Sequence, residues 1–239
     1  MNIEIWSDVV CPFCYIGKRK LEEALQHFSH KDDVTIEFKA YQLEPNAKPY
    51  TGQDFYESMA AKFGSIQQAK QMTANITDQA KSVGLDFHFD TMKPTNTFDA
   101  HRITKFAKKH GKDAAISEKL LYANFTESKD VGNHETLAEI AADIGLNKDD
   151  ALAVLQDEEA FRDEVNHDIA EAKEFGINGV PYFIINRKYA ISGAQPTKTF
   201  TQALEQVWEE ENKTTPFQDL SSDSDGACGP NGCALPEQN

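Results

Sequence analysis

Basic residues are scarce in this 239-residue chain: 24 Lys and Arg stand against 39 Asp and Glu, a formal net charge of −15. No run of Lys or Arg forms a patch for phosphates, so nucleic acid is excluded as an expected partner. Long apolar stretches are missing too. No window approaches the roughly 18 apolar residues of a membrane span, so no membrane partner is expected. The opening Met1-Asn2-Ile3-Glu4 lacks the basic stretch and apolar run of an export signal, which points to a soluble, cytoplasmic protein. Internal repeats are absent. Cysteines number four, and they fall into two close pairs, Cys11 with Cys14 and Cys228 with Cys233. In a reducing compartment such pairs are more often catalytic, redox-sensing or metal-binding than structural bridges.

The first pair carries the most information. Cys11-Pro12-Phe13-Cys14 follows Ile3-Glu4-Ile5-Trp6, an alternating strand, and precedes Leu21, Ala24, Leu25 and Phe28, which recur at helical spacing. The two thiols therefore open a helix. Unpaired backbone N–H groups and the positive end of the helix dipole favour a thiolate at Cys11, the candidate nucleophile. Cys14, one turn further in, can reach back to close a disulfide. Pro12 suits the first helical position, where its missing N–H costs no hydrogen bond.

Val34 to Tyr41 alternates like a second strand, ended by Pro45 and Pro49. From about Gln53 to Phe175 the pattern is helical, with stripes at Ile103, Phe106, Ala107 and His110, at Leu137, Ile140, Ala141 and Ile144, and at Phe161, Val165, Ile169 and Ala172. Gly111, Gly145 and Gly176 read as helix stops, and Asn133 and Asn147 as caps. Beyond Pro181 the strands Tyr182–Ile185 and Tyr189–Ile191 flank a polar turn, forming a hairpin. Thr197 to Asn212 supplies a closing helix. The order predicts an α/β layer with an all-helical insertion, followed by a polar tail from Lys213.

Trp6-Ser7-Asp8-Val9-Val10-Cys11-Pro12-Phe13-Cys14-Tyr15-Ile16-Gly17, together with Gly179-Val180-Pro181-Tyr182-Phe183, resembles the DsbA-family oxidoreductases of the FrnE-like kind. The resemblance implies a thioredoxin-like fold with a large all-helical insertion: residues 1–50 and 176–212 form the thioredoxin-like domain, 51–175 the insertion, and 213–239 a flexible tail. It implies a cytosolic thiol–disulfide oxidoreductase acting on protein disulfides or small thiols, with no resident cofactor or metal and with glutathione as a candidate thiol co-substrate. Pro181 is implied to be cis beside the sulfurs. Val180 would then pair through its backbone with a substrate peptide, and Pro12 and Phe13 would border it. Thioredoxin-like enzymes often keep a buried acid that relays the resolving cysteine's proton. Glu4 is the nearest candidate; its other reading is an edge-strand glutamate facing water. The wider family's strong oxidants carry His where this chain has Phe13, which implies a less oxidising couple, suited to reductase or isomerase work.

Cys228-Gly229-Pro230-Asn231-Gly232-Cys233 has three readings: an auxiliary shuttle dithiol, half of a four-thiolate metal site with Cys11 and Cys14, or an incidental disulfide. The turn between the cysteines lets them approach within disulfide geometry. The shuttle reading leads, since FrnE-like proteins sometimes carry such a pair. A different class, the glutathione-dependent kappa-class transferases and hydroxychromene-carboxylate isomerases, shares the inserted-helical layout. Those usually have Ser in place of Cys11 and have no use for Cys14. His88, His101, His110, His134 and His167 lack the i, i+4 pairing of a metal-binding helix. Asn96 and Thr97 read first as a helix cap.

Overall fold

The computed structural model describes residues 1–212, and the backbone of 228–229 and 232–233. Strand β1 (Asn2–Ser7) runs straight into the cysteine loop and helix α1 (Pro12–His27), and β2 (Thr35–Ala40) follows. The chain then makes α2 (Phe55–Phe63), α3 (Ile66–Lys81), α4 (Phe98–Lys108), α5 (Asp113–Phe125), α6 (His134–Asp143), α7 (Lys148–Gln156) and α8 (Arg162–Glu174). It returns through the hairpin β3 (Tyr182–Ile185) and β4 (Tyr189–Ser192), and closes with α9 (Thr197–Asn212). The four strands form one sheet in the order β2-β1-β3-β4, with β1 parallel to β2 and antiparallel to β3. Ile5 sits between Phe38 on one side and Phe183 on the other.

Because β1 is an inner strand, both of its faces are covered. Ile3 and Ile5 point to a core shared with Leu21 and Ala24 of α1 and Phe200, Leu204 and Val207 of α9. Glu4 and Trp6, on the alternate face, meet α8: Trp6 packs with Ala172 and Ile177, and its indole N–H donates to the Asp168 carbonyl at 3.1 Å. Two further clusters hold the helices. One gathers α4 to α7 around Ile103, Ile116, Leu120, Leu137 and Ile140. The other joins α1 to α2 and α3 through Tyr15, Ile16, Phe55, Phe87, Phe89 and Phe125.

The helix punctuation read from the sequence is present. Gly111, Gly145 and Gly176 take positive φ of 66°, 78° and 69°, a conformation glycine reaches without the strain a Cβ brings. Asn133 and Asn147 accept hydrogen bonds from the backbone N–H of Thr136 and Asp150. At α4 it is Asn96, not Thr97, that supplies the side-chain bond: its Oδ1 accepts from Phe98 N–H at 2.9 Å. Its amide also donates to the Pro45 and Ala47 carbonyls, at 3.0 and 3.1 Å, pinning the β2–α2 connection. The water-facing reading of Glu4 is corrected: the residue is 2% exposed.

Candidate active site

Local backbone rules place the two sulfurs. After Ser7 the chain turns so that Cys11 N–H donates to the Asp8 carbonyl at 3.0 Å. Cys11 then occupies the N-cap of α1 in extended conformation (φ −90°, ψ 110°), with Pro12 inside the first turn. Cys14 N–H donates to the Cys11 carbonyl at 3.1 Å, which holds the second sulfur on the same helical turn. Both thiols are free and each residue is 3% exposed, whereas Phe13 between them is 38% exposed.

The opposite wall comes from the loop entering β3. The Val180–Pro181 bond is cis, and the Cys11 thiol donates to the Val180 carbonyl at 3.4 Å. This wall approaches α1 closely because position 17 has no side chain. A Cβ on Gly17 would stand 3.0 Å from Pro181 Cγ and 3.2 Å from Phe183 Cζ. The glycine one turn past the cysteines is thus part of the site's geometry.

The two sulfurs differ in environment. Burial pushes the Cys14 pKa well above the usual thiol value, and the neighbouring Cys11 sulfur adds to this. The Ser7 side chain and the Asp8 backbone oppose the shift without cancelling it. Cys14 is therefore held as a neutral thiol at neutral pH.

Glu4 is not beside these sulfurs. It lies on the α8 face of β1, where Arg187 Nε donates to Oε2 at 2.7 Å and Lys39 Nζ stands 3.5 Å from Oε1. Helix α1 covers the other face. Two residues that do border the site were given no role in it from the sequence. Asp8 is fully buried, its Oδ2 accepting from Leu43 N–H at 2.7 Å. His101 of α4 is 5% exposed, and its Nε2 stands 3.5 Å from Asp8 Oδ1. An acidic residue in a strand-to-helix loop reads as solvated, and the 93 positions separating it from His101 carry no local pattern.

Beside Pro12 an apolar groove of about 390 Å³ opens between α1, α2 and α3. Leu43, Phe55, Met59, Phe63, Met72, Ile76 and Met92 line it, together with Lys48 and the ion pair of Lys62 with Glu44. Met72 and Leu43 are 42% and 41% exposed, so the surface is accessible.

Cys228 and Cys233 face each other across a short antiparallel ladder, with Gly229 opposite Gly232. The rest of 213–239 lies outside the described residues. Among the described residues, no group of three or more His, Cys, Asp or Glu side chains is placed to hold a metal ion, and no helix is long and apolar enough to cross a membrane.

A dithiol opening a helix beside a cis-proline on a β2-β1-β3-β4 sheet agrees with the comparison to known families, in which the DSBA-like thioredoxin domain matches residues 2–205. The chain belongs to this DSBA-like thioredoxin family. A probable DsbA oxidoreductase from Streptomyces coelicolor superposes with a TM-score of 0.83 at 38% identity, over 99% of this chain and 100% of that one. The uncharacterized protein YwbO of Bacillus subtilis is 26% identical over 208 residues, 85% of this chain and 96% of its own length. The cytosolic disulfide reductase DsbM of Pseudomonas aeruginosa shares the fold, with a TM-score of 0.62 at 15% identity over 88% of this chain and 100% of that one. Within this DSBA-like chain, the helices between β2 and β3 form the helical block that accompanies the thioredoxin-like sheet.

Proposed function

We propose that the protein is a cytoplasmic thiol–disulfide oxidoreductase of the reductase or isomerase type, in which Cys11 is the exchanging sulfur and Cys14 resolves. The asymmetry between the two sulfurs carries this reading: Cys11 reaches the Val180 carbonyl at the site's opening, while Cys14 is held as a thiol by burial. Cys11 attacks a substrate disulfide, a mixed disulfide forms, and Cys14 displaces the substrate sulfur. The Val180 backbone, Pro181, Pro12 and the exposed Phe13 form the strip against which the substrate lies. An apolar groove starting at Pro12 favours protein disulfides in apolar segments as substrates. Glutathione serves as electron source, and no resident cofactor takes part.

The cross-strand placement of Cys228 and Cys233 supports an auxiliary dithiol. Directly opposed residues in an antiparallel ladder have Cα atoms about 4.5–5.5 Å apart, inside the range a disulfide spans. This pair passes electrons to or from Cys11 and Cys14.

Alkylation and mass mapping in glutathione redox buffers tests both statements. Wild type should interconvert between a Cys11–Cys14 disulfide and the dithiol, and Cys14→Ser should accumulate mixed disulfides on Cys11. Cys228→Ser/Cys233→Ser should leave the first couple intact and slow its equilibration with glutathione. Thiols that stay reduced across the whole range while glutathione binds would instead mark a transferase.

A further inference from the structure

With Glu4 on the far face of β1, the proton that Cys14 gives up as it resolves the mixed disulfide needs another acceptor. Ser7 is near enough to that sulfur for its side chain to pull the Cys14 pKa down against the effect of burial. The same residue lines a cavity of about 20 Å³ whose walls include Ala40, His101, Lys105, Ser117 and Leu121. That volume suits one water molecule. Behind the cavity wall that His101 forms, His101 Nε2 and Asp8 Oδ1 are buried without a hydrogen-bond partner, 3.5 Å apart. Buried polar atoms are rarely left so, and such an exception calls for an explanation. A ring that takes a proton at Nε2 carries its positive charge 3.5 Å from the Asp8 carboxylate, a partner for both buried groups.

The other basic groups at the cavity are already engaged. Lys105 pairs with Asp168, and Lys39 with Glu4, Glu37, Asp168 and Glu171. The charged groups around His101 are therefore Asp8 from the β1–α1 loop, Lys39 from β2, Lys105 from its own helix and Asp168 of α8 behind the lysines. From α5, the cavity wall carries the uncharged Ser117.

We propose that His101 is the proton acceptor for Cys14, reached through the Ser7 hydroxyl and one water in this cavity, with Asp8 holding the resulting imidazolium. This rests on the dithiol reading above. In the step, Cys14 Sγ attacks Cys11 Sγ, the bond from Cys11 to the substrate sulfur breaks, and the Cys11–Cys14 bond forms. The substrate sulfur leaves with the electron pair as thiolate. The Cys14 proton passes to Ser7 Oγ as the serine hydroxyl proton passes to the water, and a water proton passes to His101 Nε2. The dithiol is oxidised by two electrons and the substrate disulfide is reduced by two. Ser7 is the group next to the reacting sulfur, and His101 acts through it.

The test uses dithiobis(nitrobenzoate), which releases one coloured thiolate when Cys11 attacks and a second when Cys14 resolves. It is run in full-length protein carrying Cys228→Ser/Cys233→Ser, so that only the first pair reports. Ser7→Ala and His101→Gln should each slow the second release by about ten- to a hundredfold at neutral pH, and leave the first within about twofold. The second rate should then rise in proportion to hydroxide between about pH 6 and 9, where the parent curve bends. Equal slowing of both releases, or a second release with unchanged rate and pH profile, overturns the relay. Absence of any second release in the parent overturns the dithiol reading instead. Ser7→Ala removes a single oxygen, so it decides the matter should His101→Gln fail to fold by circular dichroism.

Discussion

A methyl group at position 17 presses on the seat of Pro181, because a Cβ there stands tighter against the proline and Phe183 rings than ordinary contact allows. Gly17→Ala should destabilise the fold by about 1–3 kcal/mol, the usual cost of overpacking, and should lower the rate of disulfide exchange by moving the Val180 carbonyl from Cys11. Urea unfolding and the first-release rate check the two effects separately. At this scale the sequence was legible where chemistry has a local signature: Cys11 and Cys14 at a helix start, Pro181 before a hairpin. Where the answer depends on which face of a strand a helix covers, it was not. Glu4 alternates with Ile3 and Ile5, and only tertiary packing decides that α1 takes the isoleucine face. Arg187 shows the same limit: it holds a left-handed φ of 54° in the β3–β4 turn while its guanidinium pairs with Glu4 and Glu171, a partnership spanning up to 183 positions.

Among the elements, α1 and α5 are joined by Glu118, a carboxylate bonded by Tyr15 OH at 2.6 Å, by Lys18 and by Arg19. Burial alone would raise the Glu118 pKa, but the bonds from Arg19, Lys18 and Tyr15 outweigh it, and the net shift is downward. A carboxylate lowered in the folded state contributes stability that is fully present above its unfolded pKa and is lost as pH falls through the folded value. Glu118→Gln should therefore cost about 1–2 kcal/mol at pH 7, a figure reduced for the residue's partial exposure. It should also flatten the loss of stability below the ordinary glutamate pKa, as read from urea midpoints across that acid range. The helices with one apolar face and a glycine or asparagine boundary were readable in advance. Helix α5 was not, because its exposed face carries Ala115 and Tyr122 while Ser117 and Asn124 stand on its buried side, which erases the stripe that periodicity detects.

For the whole molecule, the net charge of −15 and the largely apolar groove, in which Lys62 is paired with Glu44, separate general repulsion of anions from local selection of substrates. Met59→Glu, which places a charge in the groove away from the sulfurs, should raise KM for a disulfide-linked apolar peptide about tenfold, the scale of one lost apolar contact. It should leave the rate with a small aromatic disulfide within about twofold, and parallel steady-state assays on the two substrates decide it. The layout also has a consequence for biogenesis. Cys11 and the Val180 carbonyl it touches are 169 positions apart in the chain. A ribosome adding roughly 5–20 residues per second produces the sulfur pair about 8–34 s before the residues that wall it in. For that interval the nascent polypeptide carries a bare dithiol, open to the ambient thiol pool and unable to present a substrate to it, and the enclosed site comes into being only once the β3 approach has been made.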